Sequence, residues 1–499
     1  MDDLIARALN LAEVKGAGYA DVRVVQTDQE QYVVRNGAVD TLSVDQSIGF
    51  GVRVLAGGAW GFASSHNFTP SEVDRVTALA VRIARASALL PSQPPLRKEG
   101  QERGIGHGGR GGGCLGRPVT SWGSYTTPIQ VDPFSVSAEE KLRLLLEADR
   151  GMASVRRIRV RQGSLIFIKQ QKTFANTEGA HVRQTIYESG GGVQATAVGQ
   201  GEIQRRSYPQ SQRRHQGCAG WEFITRMDLA GNAERTASEA VALLSADPCP
   251  SDLTATVIIG GSQLALQVHE SCGHAIELDR VMGAEAAFAG TSFLTTDKLG
   301  DFQYGSEHVN ITADSVRLPG LGTFGWDDEG VPAQSTPIVE NGRFLGYLMS
   351  RETASVLGLA SNGCMRASSW DRIPLIRMTN VSLEPGPWEL EDLIADTEEG
   401  FYMECNRSWS IDDKRYNFQF GTELGYEIKK GKLGRLLRNC TYTGITPQFW
   451  KSCDAVCNEN HWEMWGTPQC SKGQPGQIAH TGHGAAPARF RGVRIGVLK

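Results

Sequence analysis

The sequence predicts an α+β fold in which an N-terminal helix–meander–helix domain precedes a β-rich C-terminal domain with a candidate metal motif on a helix. Apolar residues recur at helical spacing at both ends of the N-terminal region, and period-two alternation lies between them. The same order recurs once further along the chain, and strand-like segments with glycine-containing turns dominate the rest. We expect subdomains at 1–90 and 131–248, a flexible insertion at 91–130, and the β-rich domain at 249–499.

The first element is a helix, because apolar residues repeat at helical spacing from Leu4 until Gly16. Strand-like alternation follows, and Asn36-Gly37 is a strong hairpin signal. A capping box that begins at Thr69 opens a second helix, which we expect to end near Ala88. These elements form the first helix–meander–helix subdomain.

Residues 91–130 interrupt this order with prolines followed by a dense run of glycines. A segment of this composition buries too little surface to offset its conformational entropy. We therefore expect a flexible insertion at the surface.

The helix–meander–helix order then recurs. A capping box begins at Ser137, strands follow between Val155 and Tyr187, and a last helix is expected from Asp228 to Leu244. The recurrence suggests an internal duplication, although similar packing needs can produce the same order without common descent.

Composition and charge exclude several classes of protein. The 499 residues are 40% hydrophobic and 21% charged, as in a globular protein with two or three cored domains. The net charge of -4 gives no case for binding nucleic acid, and no apolar run reaches the length of a membrane span. The acidic start Met1-Asp2-Asp3 is unlike a secretory signal, so we expect a cytoplasmic protein.

The ten cysteines are too few for a disulfide scaffold in a chain of this length. In a reducing compartment most of them should be free thiols, some buried as small hydrophobic residues. Cys453 and Cys457 have a spacing that zinc sites sometimes use. No second pair at matching spacing supports such a site, so we interpret this pair as packing residues or chance.

One helical stretch is typical of metal chemistry. His269, Glu270 and His274 place two imidazoles beside a carboxylate, as in a zinc-hydrolase motif with one residue inserted. On an ideal helix this spacing sets the imidazoles about 140° apart, too far to share one ion. We expect a one-residue bulge, or a helix that loosens at Gly273, because glycine tolerates the backbone angles of such a break.

The same helix has a separate packing face. Its apolar residues fall within one arc of about 120° and are Leu264, Val268, Cys272, Ala275 and Ile276. The alternative interpretation is an amphipathic helix with two ordinary histidines and a solvated glutamate. We favour a metal site, because His269-Glu270 and His274 lie opposite the apolar stripe and follow a buried strand.

Further segments add to this motif at both ends of the chain. In chain order, the matching segments are Gly51-Val52-Arg53-Val54, Trp60-Gly61-Phe62-Ala63, His269-Glu270-Ser271-Cys272-Gly273-His274, Gly325-Trp326-Asp327-Asp328-Glu329-Gly330, Asn362-Gly363 with Arg366-Ala367-Ser368, Arg377-Met378-Thr379-Asn380, and Cys470-Ser471-Lys472-Gly473-Gln474. Together they resemble the TldD/PmbA family of metalloproteases, and the chain resembles its motif-bearing, TldD-like members.

The resemblance implies a zinc endopeptidase that cleaves unfolded or extended peptides. It implies Zn²⁺ held by His269, His274 and Cys470, with Glu270 activating a zinc-bound water. It also implies subunits that pair around an enclosed chamber, as a homodimer or as a heterodimer with a related PmbA-type subunit. Three protein ligands leave a fourth position for water, which agrees with catalytic zinc.

The third ligand depends on the resemblance, because spacing alone does not distinguish Cys470 from other candidates. The competing candidates are Glu277, Glu285, His308, His480 and His483. The match to the family's tail motif favours Cys470. This tail departs from the family's pattern at Ser471, where glycine is common, and in the two histidines that follow.

Two further residues and one segment among the matching positions have open roles. Arg366 and Asn380 are candidates for contacting a bound peptide or orienting a ligand, and a structural turn is an equal alternative. The segment 327–329 is either a second metal site or an acidic turn, and we favour the turn.

Two rival functions stay open beside the peptidase. The first is a non-catalytic peptide-binding partner subunit, which should lack the metal motif that this chain retains. The second is a metal-dependent amide or ester hydrolase, because an activated water attacks many carbonyls.

Overall fold

The computed structural model describes residues 1–90, 115–199, 201–211 and 214–496 and has a mixed α+β, strand-rich fold. The first region is a helix, a three-stranded antiparallel meander and a helix: α1 (Asp2–Val14), β1 (Tyr19–Arg35), β2 (Ala38–Ala56), β3 (Ala59–Ser65) and α2 (Pro70–Ala88). Asn36 and Gly37 turn β1 into β2 with φ of 50° and 80°, which a two-residue type I′ hairpin requires. The Thr69 side chain caps α2 by accepting a hydrogen bond from the Glu72 N–H.

The second region repeats the meander. Its elements are β4 (Trp122–Thr126), α3 (Ala138–Ala153), β5 (Ile158–Asn176), β6 (His181–Gly199), β7 (Glu202–Tyr208), β8 (His215–Gly217), α4 (Glu222–Met227) and α5 (Ala233–Ala242). The single last helix expected from Asp228 is wrong, because Asp228 has a φ of 46° and ends α4. The helix resumes only at Ala233.

The two meanders form one sheet, with strand order β3-β2-β1-β5-β6-β4, and β7 and β8 also pair with β6. Strands β1 and β5 join the halves in antiparallel register from Asp21 opposite Asn176 to Arg35 opposite Gln162. The two halves therefore share a continuous sheet face, which forms the floor of a cleft between this sheet and the C-terminal region.

The expected flexible insertion at 91–130 needs correction at its C-terminal end. Residues 91–114 lie outside the described residues. Trp122–Thr126 is strand β4, paired in parallel with β6. The Trp122 indole donates a hydrogen bond to the Gly179 carbonyl, and its ring lies 5.2 Å from that of His181. This hydrogen bond and this ring contact hold the segment in place. Its position next to the glycine run in the sequence does not reveal them.

The C-terminal region is built from many short elements. They are β9 (Asp247–Pro248), β10 (Leu253–Ile259), α6 (Gly261–Val268), α7 (Leu278–Val281), β11 (Ile311–Asp314), β12 (Ser335–Glu340), β13 (Arg343–Phe344), α8 (Arg351–Val356), β14 (Met365–Arg366), β15 (Leu375–Ile376), β16 (Asn380–Leu383), α9 (Leu390–Ala395), β17 (Glu399–Ile411), β18 (Asn417–Lys429), β19 (Lys432–Arg438), β20 (Thr441–Ile445), α10 (Thr446–Lys451), β21 (Cys453–Val456), β22 (Glu463–Lys472), β23 (Gln477–Ala485) and β24 (Ala488–Ile495).

Two sheets dominate this region. In one, the order β17-β10-β24-β20-β18 closes on itself because β18 also pairs with β17. The other runs β13-β12-β11-β16-β23-β22, so β13 and β22 are its two edge strands. Both sheets contribute to one hydrophobic core that also takes in the apolar face of α6. Among the described residues, no helix is long and apolar enough to cross a lipid bilayer.

An acidic turn ties the C-terminal region to the N-terminal sheet. Asp328 lies 2.7 Å from the Lys172 ammonium and 3.5 Å from the Arg23 guanidinium, and Glu329 lies 3.4 Å from Arg53. Asp327 accepts backbone N–H groups from Glu329, Val331 and Met365. The acidic-turn interpretation is therefore confirmed, because these carboxylates are engaged by cations and backbone amides rather than gathered around an ion site.

We expect Asp328→Asn to lower the free energy of unfolding by about 3–5 kcal/mol at pH 7, because buried Lys172 and Arg23 lose their counter-charge. Burial raises the pKa of Asp328, but Lys172 and Arg23 outweigh it and set the pKa below its ordinary 3.8. This carboxylate therefore stabilises the fold above about pH 4, and its contribution is lost as pH falls through the folded pKa. Urea unfolding measures the change. Exposed Asp301→Asn is the control, and equal stability of the two variants contradicts the prediction.

Candidate metal centre

The helical stretch 261–276 consists of α6 and the two turns that continue it. It begins directly after the buried end of β10 and presents two faces. The five residues predicted for its packing face, Leu264, Val268, Cys272, Ala275 and Ile276, are all fully buried in the core, which confirms that prediction. His269, Glu270 and His274 lie away from this stripe. They are also largely buried, at 3%, 7% and 5% exposure, so the chemical face is enclosed rather than solvated.

The helix changes its winding at the motif. Residues His269–Gly273 form a π-helix, and His274–Ile276 form a 3₁₀ turn. The His274 N–H donates to the His269 carbonyl, five residues back, so the turn holds one more residue than an α-helical turn. This extra residue brings positions i and i+5 to the same side of the helix.

Gly273 is required here by packing and not by its backbone angles. Its φ of -52° and ψ of -54° are ordinary helical values. A Cβ at this position would lie 2.2 Å from the Met378 sulfur. The expectation that Gly273 supplies unusual backbone angles is therefore wrong, and the close approach of Met378 explains the glycine.

The structure brings His269, His274 and Cys470 together. The two imidazole centroids are 4.9 Å apart, and the Cys470 Sγ lies 3.5 Å from His274 Nε2. Ligand atoms of all three residues lie within 4.8 Å of one another. Zinc bonds of about 2.0–2.3 Å in a tetrahedron separate nitrogen and sulfur ligands by about 3.3–3.7 Å. The donor set and its spacing thus fit a zinc ion after small side-chain shifts.

The Cys470 thiol is suited to act as a thiolate. Burial raises its pKa, but His274 and Arg377 outweigh burial and lower it below its usual value. The nine cysteines in the described part of the chain are all free, as predicted for most of them. Cys453 and Cys457 pack in separate hydrophobic clusters.

Glu277, a competing ligand candidate, instead orients His274. Its Oε2 lies 2.9 Å from His274 Nδ1. Burial raises the pKa of Glu277, but Lys472, His274 and Arg377 outweigh it and hold the pKa below its usual value. An ionised carboxylate only accepts hydrogen bonds, so His274 Nδ1 carries a proton and its Nε2 is the nitrogen free for a metal.

A second hydrogen-bond chain orients His269. His483 Nδ1 lies 2.8 Å from the Val381 carbonyl, which can only accept, so this nitrogen is protonated. Burial lowers the pKa of His483 well below its usual value, so the ring is neutral and its Nε2 accepts. His269 Nδ1, 2.7 Å away, therefore donates to it, and His269 Nε2 carries a free lone pair. His483 thus selects the metal-competent tautomer of His269 without being in the ligand set.

We expect His483→Ala to weaken zinc binding by roughly 10–100-fold, because His269 loses the partner that fixes its tautomer and orientation. Competition with a chromophoric chelator measures the zinc Kd. His308→Ala is the matched control, because His308 is exposed and is not among the clustered ligand residues. Equal zinc affinity of wild type and His483→Ala contradicts the assigned role.

Glu270 lies beside the three ligands and faces a cavity of 480 Å³. Burial raises its pKa, but His269, His274 and Arg415 together outweigh it and lower the pKa below its usual value. Arg415 Nη1 lies 2.6 Å from Glu270 Oε2. Arg415 is not among the residues predicted from the sequence, and no local pattern identifies it, because it reaches Glu270 from a turn 145 residues away in sequence.

The remaining competing ligand candidates lie outside the group. Glu285 forms an ion pair with buried Arg280, His308 is exposed, and His480 Nδ1 lies 2.6 Å from Glu188. None of these side chains therefore competes with Cys470 in this structure.

The two candidate substrate-contact residues, Asn380 and Arg366, lie in different surroundings. Asn380 is fully buried, and its amide accepts from the Gly322 N–H and donates to Thr323 Oγ1. The prediction of a substrate contact at Asn380 is therefore wrong, because its polar atoms hold a loop inside the protein. Arg366 donates to the carbonyls of Met378 and His480 and lines a second cavity.

The chain is similar to several known proteins. Family models match the PmbA/TldA metallopeptidase domain 1 at 20–84, the central domain at 131–244 and the C-terminal domain at 253–496. A metalloprotease of Methanothermobacter thermautotrophicus is 28% identical over 481 residues, covering 96% of this chain and 95% of that protein. A metalloprotease TldD homolog of Haemophilus influenzae is 23% identical over 498 residues, covering 98% and 95%.

A solved structure from Thermotoga maritima, described as a proposed modulator of a DNA gyrase, has the same fold with a TM-score of 0.74. It is 17% identical and covers 99% of this chain and 100% of that chain. The metalloprotease relatives imply a metal ion. Because the three matched domain models together span most of its length, the chain belongs to the PmbA/TldD family of metallopeptidases.

Proposed function

We propose that this chain is a zinc-dependent endopeptidase that cleaves unfolded or extended peptides. The observation that carries the proposal is the convergence of His269, His274 and Cys470 beside Glu270 at the wall of a cavity. Two neutral imidazoles and a thiolate suit zinc, and three protein ligands leave a position for water. The donor chemistry and the family membership support the same assignment.

Glu270 is the general base and acid of the proposed reaction. When bound, zinc would lower the pKa of water and polarise the peptide carbonyl. Glu270 takes a proton from the attacking water and returns it to the departing amine. Arg415 supports this role, because its ion pair with Glu270 favours the ionised carboxylate that a general base requires.

The substrate is proposed to bind as an added strand. Strand β22 carries Cys470 and is an edge strand of its sheet. Its register shifts between Thr467 and Cys470, and residues 466–469 line the cavity next to Glu270. Backbone hydrogen bonds along such an edge supply affinity with little demand on side chains, which suits a broad peptidase.

Pairing of subunits stays a prediction of the family resemblance, and a cytoplasmic location stays a prediction from the acidic start of the sequence. We propose a dimer, formed either by two copies of this chain or with a related PmbA-type subunit. Light scattering on the purified chain, alone and after mixing with such a subunit, measures the assembly.

Digestion of a panel of unfolded polypeptides, with and without a chelator, tests the proposed function. We expect cleavage that stops with the chelator and returns with added zinc, while folded forms of the same proteins stay intact. Bound zinc with hydrolysis of esters or small amides, but without peptide cleavage, favours a metal-dependent amide or ester hydrolase. Bound zinc without any hydrolysis favours a non-catalytic binding subunit.

A further inference from the structure

A second cavity of 420 Å³ adjoins the one that contains Glu270. Arg214, Pro468 and Gln469 contribute to the walls of both, so the two form one cleft between the N-terminal sheet and the C-terminal region. The proposed reaction uses only the first cavity. The second cavity has no role in that reaction.

One face of the N-terminal sheet forms the floor of the whole cleft. Along β5, the alternate residues from Gln162 to Lys172 line first one cavity and then the other. Alternate residues lie on the same face of a strand, and ten residues span about 34 Å. This length matches about ten residues of an extended polypeptide.

Glutamine side chains are concentrated along this cleft. The glutamines that line the two cavities are Gln29, Gln31, Gln162, Gln170, Gln184, Gln194, Gln210 and Gln469. The side-chain amides of Gln29, Gln31, Gln162 and Gln170 make no hydrogen bond to any other residue that the structure describes. Each such amide offers donors and acceptors that complement the N–H and C=O groups of a peptide backbone.

Several charged side chains of the second cavity are already engaged by other groups of the protein. Lys172 lies 2.7 Å from Asp328, and His480 lies 2.6 Å from Glu188. Arg366 donates to backbone carbonyls. A charged side chain that entered this cavity would lose water and would have to compete with these existing contacts, which is costly. Uncharged polar or apolar segments fit it better.

We propose that the second cavity binds the part of the polypeptide substrate that lies several residues from the cleaved bond. Its free amide side chains hydrogen-bond the substrate backbone, so binding depends on length and on the absence of charge rather than on sequence. This inference rests on the proposed function, because it takes the ligand of the second cavity to be the peptide substrate. It assigns to the enzyme a requirement for chains long enough to reach the second cavity.

Peptide binding to the zinc-loaded, full-length Glu270→Gln variant tests the inference without cleavage. The probes are dye-labelled peptides of alanine, serine and leucine, one of five and one of ten residues, and fluorescence anisotropy gives their Kd. We expect the decapeptide to bind roughly tenfold more tightly, as several added hydrogen bonds allow. The double variant Gln29→Leu, Gln170→Leu should lose most of this gain. Gln171→Leu is the matched control, because Gln171 is exposed on the opposite face of β5 and should keep the full gain.

Equal Kd values for the two peptides overturn the inference, as does an equal gain from a decapeptide whose added residues are lysine or glutamate. A loss of the gain in Gln171→Leu as large as in the double variant also overturns it. Length-dependent binding to the variant, with no cleavage of either peptide by the wild-type enzyme, supports the second binding site and contradicts the proposed peptidase. The two claims therefore fail separately.

Discussion

Replacement of Glu270 by glutamine is expected to lower kcat for peptide cleavage by roughly 10²–10⁴-fold and to leave the zinc content unchanged. Glu270 lies next to His269 in sequence but is not one of the three clustered ligand residues. Glutamine keeps the size of the side chain but cannot take a proton, and it also removes the negative charge that pairs with Arg415. A fluorogenic unfolded peptide gives kcat, and elemental analysis of the purified variant gives the zinc content.

Glu340→Gln is the control for this experiment, because Glu340 is exposed in β12 and does not line the cavity that Glu270 faces. It should retain wild-type kcat. Full activity of Glu270→Gln contradicts the role of Glu270 as general base. Loss of zinc from Glu270→Gln would instead place this carboxylate among the ligands.

Replacement of Cys470 by serine is expected to weaken zinc binding by more than about 100-fold, because loss of a direct ligand should exceed the effect of losing an orienting partner. The serine hydroxyl does not ionise in the range where this thiol does. Since Cys470 is 2% exposed and serine is similar in size, the metal-free fold should persist. Chelator competition measures the zinc Kd, and circular dichroism checks the fold.

Cys453→Ser is the matched control, since Cys453 is an equally buried free thiol at 2% exposure and packs in the core. It should bind zinc as tightly as wild type. Tight zinc binding by Cys470→Ser would contradict the assignment of the third ligand.

Features encoded by neighbouring residues could be predicted from the sequence. The second helix was expected from Thr69 to about Ala88 and spans Pro70–Ala88, because its capping box and apolar spacing are local signals. The packing face of this helical stretch could also be predicted, because five apolar residues on one arc form a stripe that faces a hydrophobic core. Burial of the opposite face depends on contacts with β22, β23 and the turn that carries Arg415, and the helix alone does not reveal them.

Features that depend on tertiary contacts could not be predicted. His483 reaches His269 across 214 residues and Arg415 reaches Glu270 across 145, so no spacing rule connects them. The glutamines of β1 and β5 resemble ordinary solvent-facing strand residues. Only the packing of the C-terminal region over their sheet turns that face into the floor of a cleft.

X-ray absorption at the zinc edge of the zinc-loaded protein tests the central claim most directly, because it reports the atoms bound to the metal. The three clustered residues predict one sulfur at about 2.3 Å and two imidazole nitrogens at about 2.0–2.1 Å, with a further light atom. A zinc spectrum without a sulfur shell, or with fewer than two imidazoles, would contradict the site formed by His269, His274 and Cys470.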